Sequence, residues 1–243
     1  MKMMALSDVG RVRETNQDYY YICEENDEIK LAILADGMGG YNGGEIASKV
    51  ATETVRDYIR NNLYSTLPDK KEIEKLILSA IEYANMVVYE KSKEDENLSG
   101  MGTTLEVCLI YNNIAYIAHI GDSRVYLIRD NKIDKLTTDH SYVEDLIKEG
   151  KITKEEAVNH PKKNIITKAL GCSAYVEPDI MQMKMKKQDI LVMTTDGLTN
   201  KVTDEQIYGI INNDIETSTI NLIKEANELG GNDNITTIVI QNN

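Results

Sequence analysis

Phenylalanine and tryptophan are absent from this sequence, and histidine, cysteine and proline occur three times each. The cysteines, Cys23, Cys108 and Cys172, are widely spaced and form no CxxC pair. The sequence therefore supports neither a zinc site nor a redox motif. Cys23 and Cys108 lie in apolar, strand-like stretches and are expected to be small core residues. Fourteen tyrosines supply all the aromatic side chains.

Long apolar runs and an excess of basic charge are also missing. No segment reaches the roughly 18 apolar residues of a membrane span, and residues 1–11 have no apolar core of signal-peptide length. A cytoplasmic location, without membrane attachment, is therefore expected. The net charge of −13 argues against a nucleic-acid-binding protein, because such proteins gain affinity by neutralising phosphates with basic side chains.

The apolar residues that are present form patterns typical of both helices and strands. Two stripes have helical spacing and predict long amphipathic helices packed side by side on a sheet. They are Ile46, Ala47, Val50, Ala51, Val55, Tyr58 and Ile59, and Ile73, Leu76, Ile77, Ala80, Ile81, Ala84, Val87 and Val88. Two further helices are predicted at 204–212 and 216–229. Strand-like segments are 19–23, 30–35, 103–111, 114–119, 124–129, 165–170, 180–185, 190–194 and 235–240.

Short polar turns between these strands indicate antiparallel pairing. Asn112-Asn113 and Asp130-Asn131 are typical of hairpins, and Glu25-Asn26-Asp27 would join the first two strands. A chain of 243 residues with 42% hydrophobic residues fits one domain, or two small ones. We predict an α+β fold with four α-β-β-α layers, in which two mostly antiparallel sheets pack face to face between helices.

Aspartates recur where the predicted strands end. Asp36-Gly37 and Asp196-Gly197 each follow an apolar run, Asp122 lies in Gly-Asp-Ser-Arg, and Asp233 lies in Gly-Asn-Asp-Asn. Asp-Gly is also a common turn pair, so any one of these sites alone is more simply a turn. Four carboxylates held by strands, in a chain with three histidines, favour hard divalent cations with oxygen ligands.

Eight short motifs resemble those of the metal-dependent type 2C Ser/Thr protein phosphatases, in family order from Ser7 to Ile240. They are Ser7–Arg13 with Asn16-Gln17-Asp18, Asp36–Gly40, Gly102-Thr103-Thr104, Gly121–Arg124, Asp139-His140-Ser141, Ile166–Gly171, Asp196-Gly197-Leu198 and Gly231–Asn234. The ordered set is far more specific than any one motif. The chain is most similar to the compact bacterial form, a single catalytic domain over residues 1–243.

The resemblance implies two tightly bound Mn²⁺ or Mg²⁺ ions and a third, weaker one. Asp36 would bridge the tight pair, the carbonyl of Gly37 would bind the second ion, and Asp196 and Asp233 would complete the first. Asp122, with Asp196, would hold the third. A water bridging two cations loses its proton near neutral pH, and it would attack phosphoserine or phosphothreonine in proteins, reversing the action of Ser/Thr kinases.

Arg13 and Asp18 correspond to two further functional residues of the family. The guanidinium of Arg13 would bind two phosphate oxygens in a bidentate fork; the alternative is a surface salt bridge with Glu14 or Asp18. Asp18 would orient metal-bound water; the alternative is a solvated loop acid.

Four positions depart from the family pattern. Gln17 replaces a frequent Glu, and Lys168 replaces a frequent Arg. Met38 and Tyr41 stand where relatives carry histidines, and neither readily protonates a leaving serine. A water on the third ion is the remaining candidate for the general acid.

The histidines and one charged insertion complete the expectations. His140 is expected to be structural, His119 to be core or close to the ligands, and His160 to be exposed. The insertion, at about residues 141–164, coincides with the family's flap and is the best candidate for substrate selection.

Three other functions are possible alternatives. A catalytically dead relative would bind phosphoproteins but would lack part of the ligand set, which is complete here. A haloacid-dehalogenase-type phosphatase is rejected, because Met38 stands where that class needs a second Asp. A calcium scaffold needs a loop of closely spaced acids, and the sequence has no such loop. The expected partners are phosphorylated proteins, with a bacterial Ser/Thr kinase and its substrates suggested by the family, and a monomer is expected.

Overall fold

A computed structural model of the protein describes residues 1–23, 29–39, 43–63, 70–211 and 214–242. The strands are β1 Lys2–Asp8, β2 Asp18–Cys23, β3 Ile29–Met38, β4 Gly102–Thr103, β5 Leu105–Tyr111, β6 Ile114–Ile120, β7 Arg124–Arg129, β8 Lys132–Lys135, β9 Asp179–Lys184, β10 Ile190–Thr194 and β11 Ile235–Gln241. The helices are α1 Gly43–Leu63, α2 Lys70–Glu94, α3 Tyr142–Lys148, α4 Lys154–Val158, α5 Asp196–Thr199, α6 Asp204–Ile210 and α7 Ile215–Glu228, with a 3-10 turn at Glu96–Leu98. The predicted turn Glu25-Asn26-Asp27 lies outside the described residues.

These strands form two antiparallel sheets. One has the order β1-β11-β10-β7-β8, and the other has the order β2-β3-β5-β6-β9, with β4 paired to the end of β3. Every strand pair within the described ranges is antiparallel. The predicted pairing is therefore confirmed.

The two sheets pack face to face, and helices cover both outer faces. Strand β10 shows the arrangement: Leu191 and Met193 face the other sheet, whereas Ile190 and Val192 pack in the cluster that contains α6 and α7. A strand buried on both faces is apolar at successive positions, which explains its continuous hydrophobic run. The predicted four-layer α-β-β-α fold is confirmed.

Helices α1 and α2 form the layer on the sheet that contains β3. Ala47, Ala51 and Val55 of α1 and Ala80 and Ala84 of α2 are fully buried. Their small side chains let the two helices approach each other and the sheet closely. The predicted pair of amphipathic helices is thus confirmed.

Hairpin chemistry explains two of the sharpest turns. Asn112 and Asn113 have φ values of 49° and 58°, and Asp130 and Asn131 have φ values of 50° and 61°. Two successive positive φ angles are typical of type I′ turns, which Asn and Asp tolerate. Both predicted hairpins form.

Several elements differ from the sequence-based prediction. Strands β1 and β8 were not predicted, and residues 165–170 do not form the predicted strand. That segment makes only isolated bridges, between Ser141 and Ile166 and between Thr103 and Leu170. Its backbone therefore connects two separate parts of the molecule instead of extending either sheet.

The charged insertion is helical. Helices α3 and α4 begin at the N-caps Ser141 and Thr153, and Thr153 forms a capping box with Glu156. No helix in the described ranges is long and apolar enough to cross a membrane.

Candidate functional site

Five aspartates meet at one end of the core between the sheets. Asp18 begins β2, Asp36 lies near the end of β3, Asp122 follows β6, Asp196 follows β10 and Asp233 precedes β11. Neighbouring antiparallel strands run in opposite directions, so the end of one lies beside the start of the next. Electrostatic repulsion from the other four carboxylates adds to burial in raising the pKa of Asp36.

The two Asp-Gly pairs do not form turns, the simplest interpretation of either pair taken alone. Strand β3 continues through Asp36 and Gly37 because β4 pairs with its end, and Asp196 begins helix α5. Neither glycine has a positive φ. Instead, a Cβ at Gly37 would lie 2.1 Å from the Gly44 carbonyl oxygen, and one at Gly197 would lie 1.9 Å from that of Asn234. Both glycines are required for close backbone approach.

Asp18 is held by two threonine hydroxyls that sequence reasoning missed. Thr195 Oγ1 and Thr236 Oγ1 donate to Asp18 Oδ2 at 2.9 and 2.6 Å, while Oδ1 is buried without a hydrogen-bond partner among the described residues. Burial raises the pKa of Asp18 to about 7. The available signal was the polar Thr residues at the ends of otherwise apolar strands. Asp18 is thus a buried acid rather than a solvated one.

Asp196 lies in the same group of acids as Asp36, and its charge contributes to the raised pKa of Asp36. Asn200 Nδ2 donates to Asp196 Oδ2 at 2.8 Å. Burial, followed by repulsion from Asp233, raises the pKa of Asp196. Neighbouring ionised carboxylates repel one another, so this group of acids favours either protonation or a bound cation.

Asp122 is the fourth predicted metal-ligating aspartate, and its Oδ1 is buried without a partner within the described ranges. Burial, with repulsion from Asp196 and Asp139, raises its pKa to about 7. Asp36 and Asp122 are further connected through Thr104, whose Oγ1 accepts from the Asp36 amide at 2.9 Å and lies 2.8 Å from Ser123 Oγ.

Arg13 forms its ion pair with Asp233. Nη2 donates to Asp233 Oδ2 at 2.8 Å, and the Arg13 side chain remains 53% exposed. The partner is therefore a predicted metal-ligating residue, and not Glu14 or Asp18. An exposed guanidinium beside the acid cluster can bind an anion and remain close to the carboxylates.

Asn234 organises the loop that carries Arg13. Its Nδ2 donates to the carbonyl oxygens of Val9 and Thr15, each at 2.9 Å, and its Oδ1 accepts from the Gln17 amide at 2.8 Å. A buried amide that satisfies three backbone groups fixes the path of residues 9–17. No local sequence pattern indicates this role for Asn234.

The chemistry of the cluster fits hard cations. Among the residues that the structure describes, no three Asp, Glu, His or Cys side chains form a ready-made metal-binding group. A ready-made group is not required, because hard divalent cations such as Mg²⁺ retain several waters and need few protein ligands. The unpaired oxygens of Asp18 and Asp122 and the raised carboxyl pKa values indicate groups that lack a positive partner.

The departures from the family motifs lie in different surroundings. Met38 is half-buried at the end of β3, and Tyr41 lies outside the described residues. Lys168 Nζ contacts Asp179 Oδ1 at 3.4 Å. His160 is half-buried instead of exposed, and its Nδ1 accepts from the Lys162 amide.

A cleft of about 570 Å³ leads away from the acid cluster between Asp122, Asp196 and the insertion helices α3 and α4. A neighbouring pocket of about 290 Å³ includes Arg13 and Asp233. Lys163 lines both spaces. An extended ligand could therefore contact the acids, Arg13 and the insertion together.

Comparisons with known proteins identify similar chains of nearly the same length. A family model for protein phosphatase 2C matches residues 11–231. Protein phosphatase PhpP of Streptococcus pneumoniae is 39% identical, and the match covers 100% of this chain and 98% of that protein. A serine/threonine phosphatase structure from S. agalactiae has a TM-score of 0.90 and 36% identity, covering 100% of this chain and 99% of that one. The catalytic domain of the serine/threonine protein phosphatase PstP, in complex with two manganese ions, has a TM-score of 0.86 and 32% identity, covering 100% and 98%.

Proposed function

This chain belongs to the protein phosphatase 2C family, and we propose that it removes phosphate from phosphoserine and phosphothreonine in proteins at the five-aspartate site. Members of the family are metal-dependent Ser/Thr phosphatases. The observation that carries the proposal is the meeting of Asp18, Asp36, Asp122, Asp196 and Asp233 beside the exposed guanidinium of Arg13. The function is the hydrolysis of phosphoric monoesters.

The acid cluster would hold divalent cations. Asp36 is assigned to two ions, the Gly37 carbonyl to the second, Asp196 and Asp233 to the first, and Asp122 with Asp196 to a weaker third. Bound ions of this kind supply Lewis-acid polarisation and a nucleophile formed from water near neutral pH. We assign Mn²⁺ or Mg²⁺ because both prefer carboxylate, carbonyl and water oxygens. Two manganese ions are present in the related PstP structure.

Asp18 would act on water near the ions and not on the ions themselves. Its Oδ2 is already bonded to Thr195 and Thr236, whereas its Oδ1 is unpaired among the described residues. The two hydroxyls fix the carboxylate so that the free oxygen can accept a proton or a hydrogen bond from water.

Arg13 would hold the phosphate. In the ion pair with Asp233, one arm of its guanidinium is engaged, and most of the side chain remains exposed. A phosphate can replace the carboxylate as the partner of this planar fork. Asp233 would then be available to a cation, so substrate and metal binding would relieve the same ion pair.

The cleft under the insertion would take the protein segment around the phosphorylated residue. Lys154 and Lys163 line it and expose their side chains. We propose that residues 141–164 act as a flap on a single catalytic domain that spans residues 1–243. Phosphorylated proteins are the substrate class, and a bacterial Ser/Thr kinase and its targets would supply them; we also propose a cytoplasmic monomer.

The test is phosphate release from a phosphothreonine peptide with added Mn²⁺, with Mg²⁺, and after exhaustive chelation. We expect turnover that requires metal and disappears in EDTA. The Asp36→Asn variant provides the matched control, because it preserves side-chain shape and removes the charge. Full activity in EDTA would contradict the metal mechanism. Binding of the phosphopeptide without turnover under any metal condition would favour the alternative of a catalytically dead phosphoprotein-binding module.

A further inference from the structure

A buried acid–base pair, Glu106 and His119, lies between the sheets and is not assigned any part in the proposed chemistry. The two residues are direct cross-strand partners on β5 and β6. Glu106 is fully buried and His119 is 2% exposed. His119 Nδ1 lies 2.5 Å from Glu106 Oε1. The other oxygen, Oε2, is buried without a hydrogen-bond partner within the described residues.

Hydrogen bonding determines the protonation of the His119 ring. Nε2 lies 2.9 Å from the carbonyl oxygen of Thr138. A carbonyl oxygen can only accept, so Nε2 must carry a proton and donate. Nδ1 and Glu106 Oε1 then share one further proton, either as an ion pair or as two neutral groups. In both states His119 is fixed between Glu106 and the backbone of Thr138.

Thr138, which His119 contacts, lies two residues before His140. His140 in turn forms hydrogen bonds with the backbone of Gly121, the residue before Asp122. The amide of His140 donates to the Gly121 carbonyl at 2.7 Å, and the Gly121 amide donates to His140 Nδ1 at 3.0 Å. Burial lowers the pKa of His140 to about 4, so the ring stays neutral and Nδ1 can accept. The rings of His119 and His140 also stack, with centroids 4.6 Å apart.

The two hydrogen bonds with His140 and close packing against Thr104 restrict the backbone of Gly121. Its φ is 110°, and an added Cβ would lie 2.5 Å from Thr104 Cγ2. The next residue is Asp122, whose Oδ1 is buried without a partner in the described ranges. Asp122 therefore directly follows the residue whose backbone His140 holds.

The same segment also carries the insertion. The His140 carbonyl accepts from the Thr167 amide at 2.8 Å, and the Tyr142 amide donates to the Ile165 carbonyl at 2.8 Å. Ser141 caps helix α3. The entry to α3 and the return segment near residues 165–167 are thus attached to His140.

We propose that His119, anchored by its hydrogen bond to Glu106, is a positioning residue for the phosphatase reaction, and that it acts through Thr138 and His140 to aim Asp122 and to seat the insertion. This inference rests on the proposed function, because it gives Asp122 a ligand's role. An apolar pair would fit this layer of the core without an unpaired carboxylate oxygen. The polar pair adds the hydrogen bond to Thr138, which an apolar pair cannot make.

Two substitutions of His119 separate the hydrogen bond to Thr138 from the contact with Glu106. The amide of Asn occupies the position of Nδ1, so His119→Asn keeps the Glu106 contact and loses the Thr138 bond. The longer Gln places its amide near Nε2, so His119→Gln can still donate to Thr138. Glu106→Gln keeps a partner for Nδ1 without the charge. Asp189→Asn is the matched control, because Asp189 is a 1% exposed acid paired with Arg129 away from the cluster.

The first readout needs neither metal nor substrate. Hydrogen exchange of the Gly121 amide in the metal-free protein should accelerate about tenfold in His119→Asn, and it should stay near the wild-type rate in Glu106→Gln and Asp189→Asn. Calorimetric Mn²⁺ titration should then show weakening of the weakest site by about 10–100-fold in His119→Asn, the range typical of residues that orient metal ligands. The tight sites should be unaffected, and His119→Gln should lose less.

Several outcomes would overturn the proposal. One is unchanged Gly121 exchange and weak-site affinity in a folded His119→Asn protein. Another is an equal loss in Asp189→Asn, which would indicate general destabilisation. If His119→Asn does not fold, an effect of Glu106→Gln on the tight sites but not on Gly121 would contradict it as well. Absence of turnover in the wild-type protein would contradict the proposed function alone, because the exchange of Gly121 is measured without activity.

Discussion

Arg13 and Asp233, 220 positions apart in the chain, form an ion pair in which Nη2 donates to Oδ2 at 2.8 Å. The pair joins the proposed phosphate-binding cation to a proposed metal ligand. In the absence of ligands each side chain neutralises the other; phosphate would replace Asp233 as the partner of Arg13, and a cation would replace Arg13 as the partner of Asp233. The energy of an exposed ion pair is small, so replacing it costs little.

Arg13→Ala should impair substrate handling and not metal binding. Loss of the guanidinium fork removes bidentate positioning of phosphate, so we expect kcat/KM to fall by about 100-fold, since misplacement of a reacting group costs this much. Mn²⁺ affinity should be undiminished, because Asp233 loses its competitor. Steady-state kinetics and calorimetry test the two effects separately. Arg13→Lys is the control that keeps the charge but not the bidentate fork. A loss of Mn²⁺ affinity as large as the loss of kcat/KM in Arg13→Ala would mean that Arg13 has a structural role.

Asp36→Asn should keep the fold and remove most of the tight metal binding, because its carboxylate is assigned to both ions. Calorimetric titration of the metal-free protein with Mn²⁺ measures this effect. Asp122→Asn is the control and should affect only the weakest site. Unchanged stoichiometry and affinity in Asp36→Asn would contradict the assignment.

Asp122→Ala should lose turnover but retain the tight pair of ions. If Asp122 supports protonation of the leaving group, the loss should be larger for phosphothreonine than for an aryl phosphate, whose phenolate leaves with little help. General acid catalysis contributes about 10²–10⁴-fold, which sets the expected difference. Parallel kinetics on both substrates measure it. Equal losses would show that Asp122 acts on metal assembly or on the nucleophile.

The metal-free protein should lose stability as the pH rises from 5 to 8. In the folded state the pKa of Asp18 and of Asp122 is raised to about 7, against about 4 in an unfolded chain. The folded state therefore binds more protons between these values, and the stability that this contributes below pH 4 is lost as the pH passes through 7. Melting temperatures in EDTA measure the effect. Added Mn²⁺ should raise the melting temperature most at pH 8, and Asp18→Asn should reduce the pH dependence.

The sequence by itself determined the family, the layered antiparallel fold and most of the elements. Local patterns were sufficient because helical stripes such as Ile46–Ile59 and turns such as Asn112-Asn113 depend on residues that are close together in the sequence. The ordered motifs also identified the candidate acids Asp36, Asp122, Asp196 and Asp233. Their roles as ligands stay predictions.

Only the tertiary structure decided which groups meet. The ion pair of Arg13 with Asp233, the hydroxyls on Asp18 and the contact of His119 with Thr138 join residues from separate strands and loops, and no local spacing encodes them. Gly37 shows the same limit, because its Gly pattern resembles a turn but close backbone packing against Gly44 is what requires it. Segment 165–170 has strand-like residues, yet its backbone bonds to His140 and Thr103 form only isolated bridges and no regular strand. Local propensity is weak compared with the hydrogen bonds and burial that packing supplies. These contacts and the conformation of segment 165–170 therefore depend on the tertiary structure.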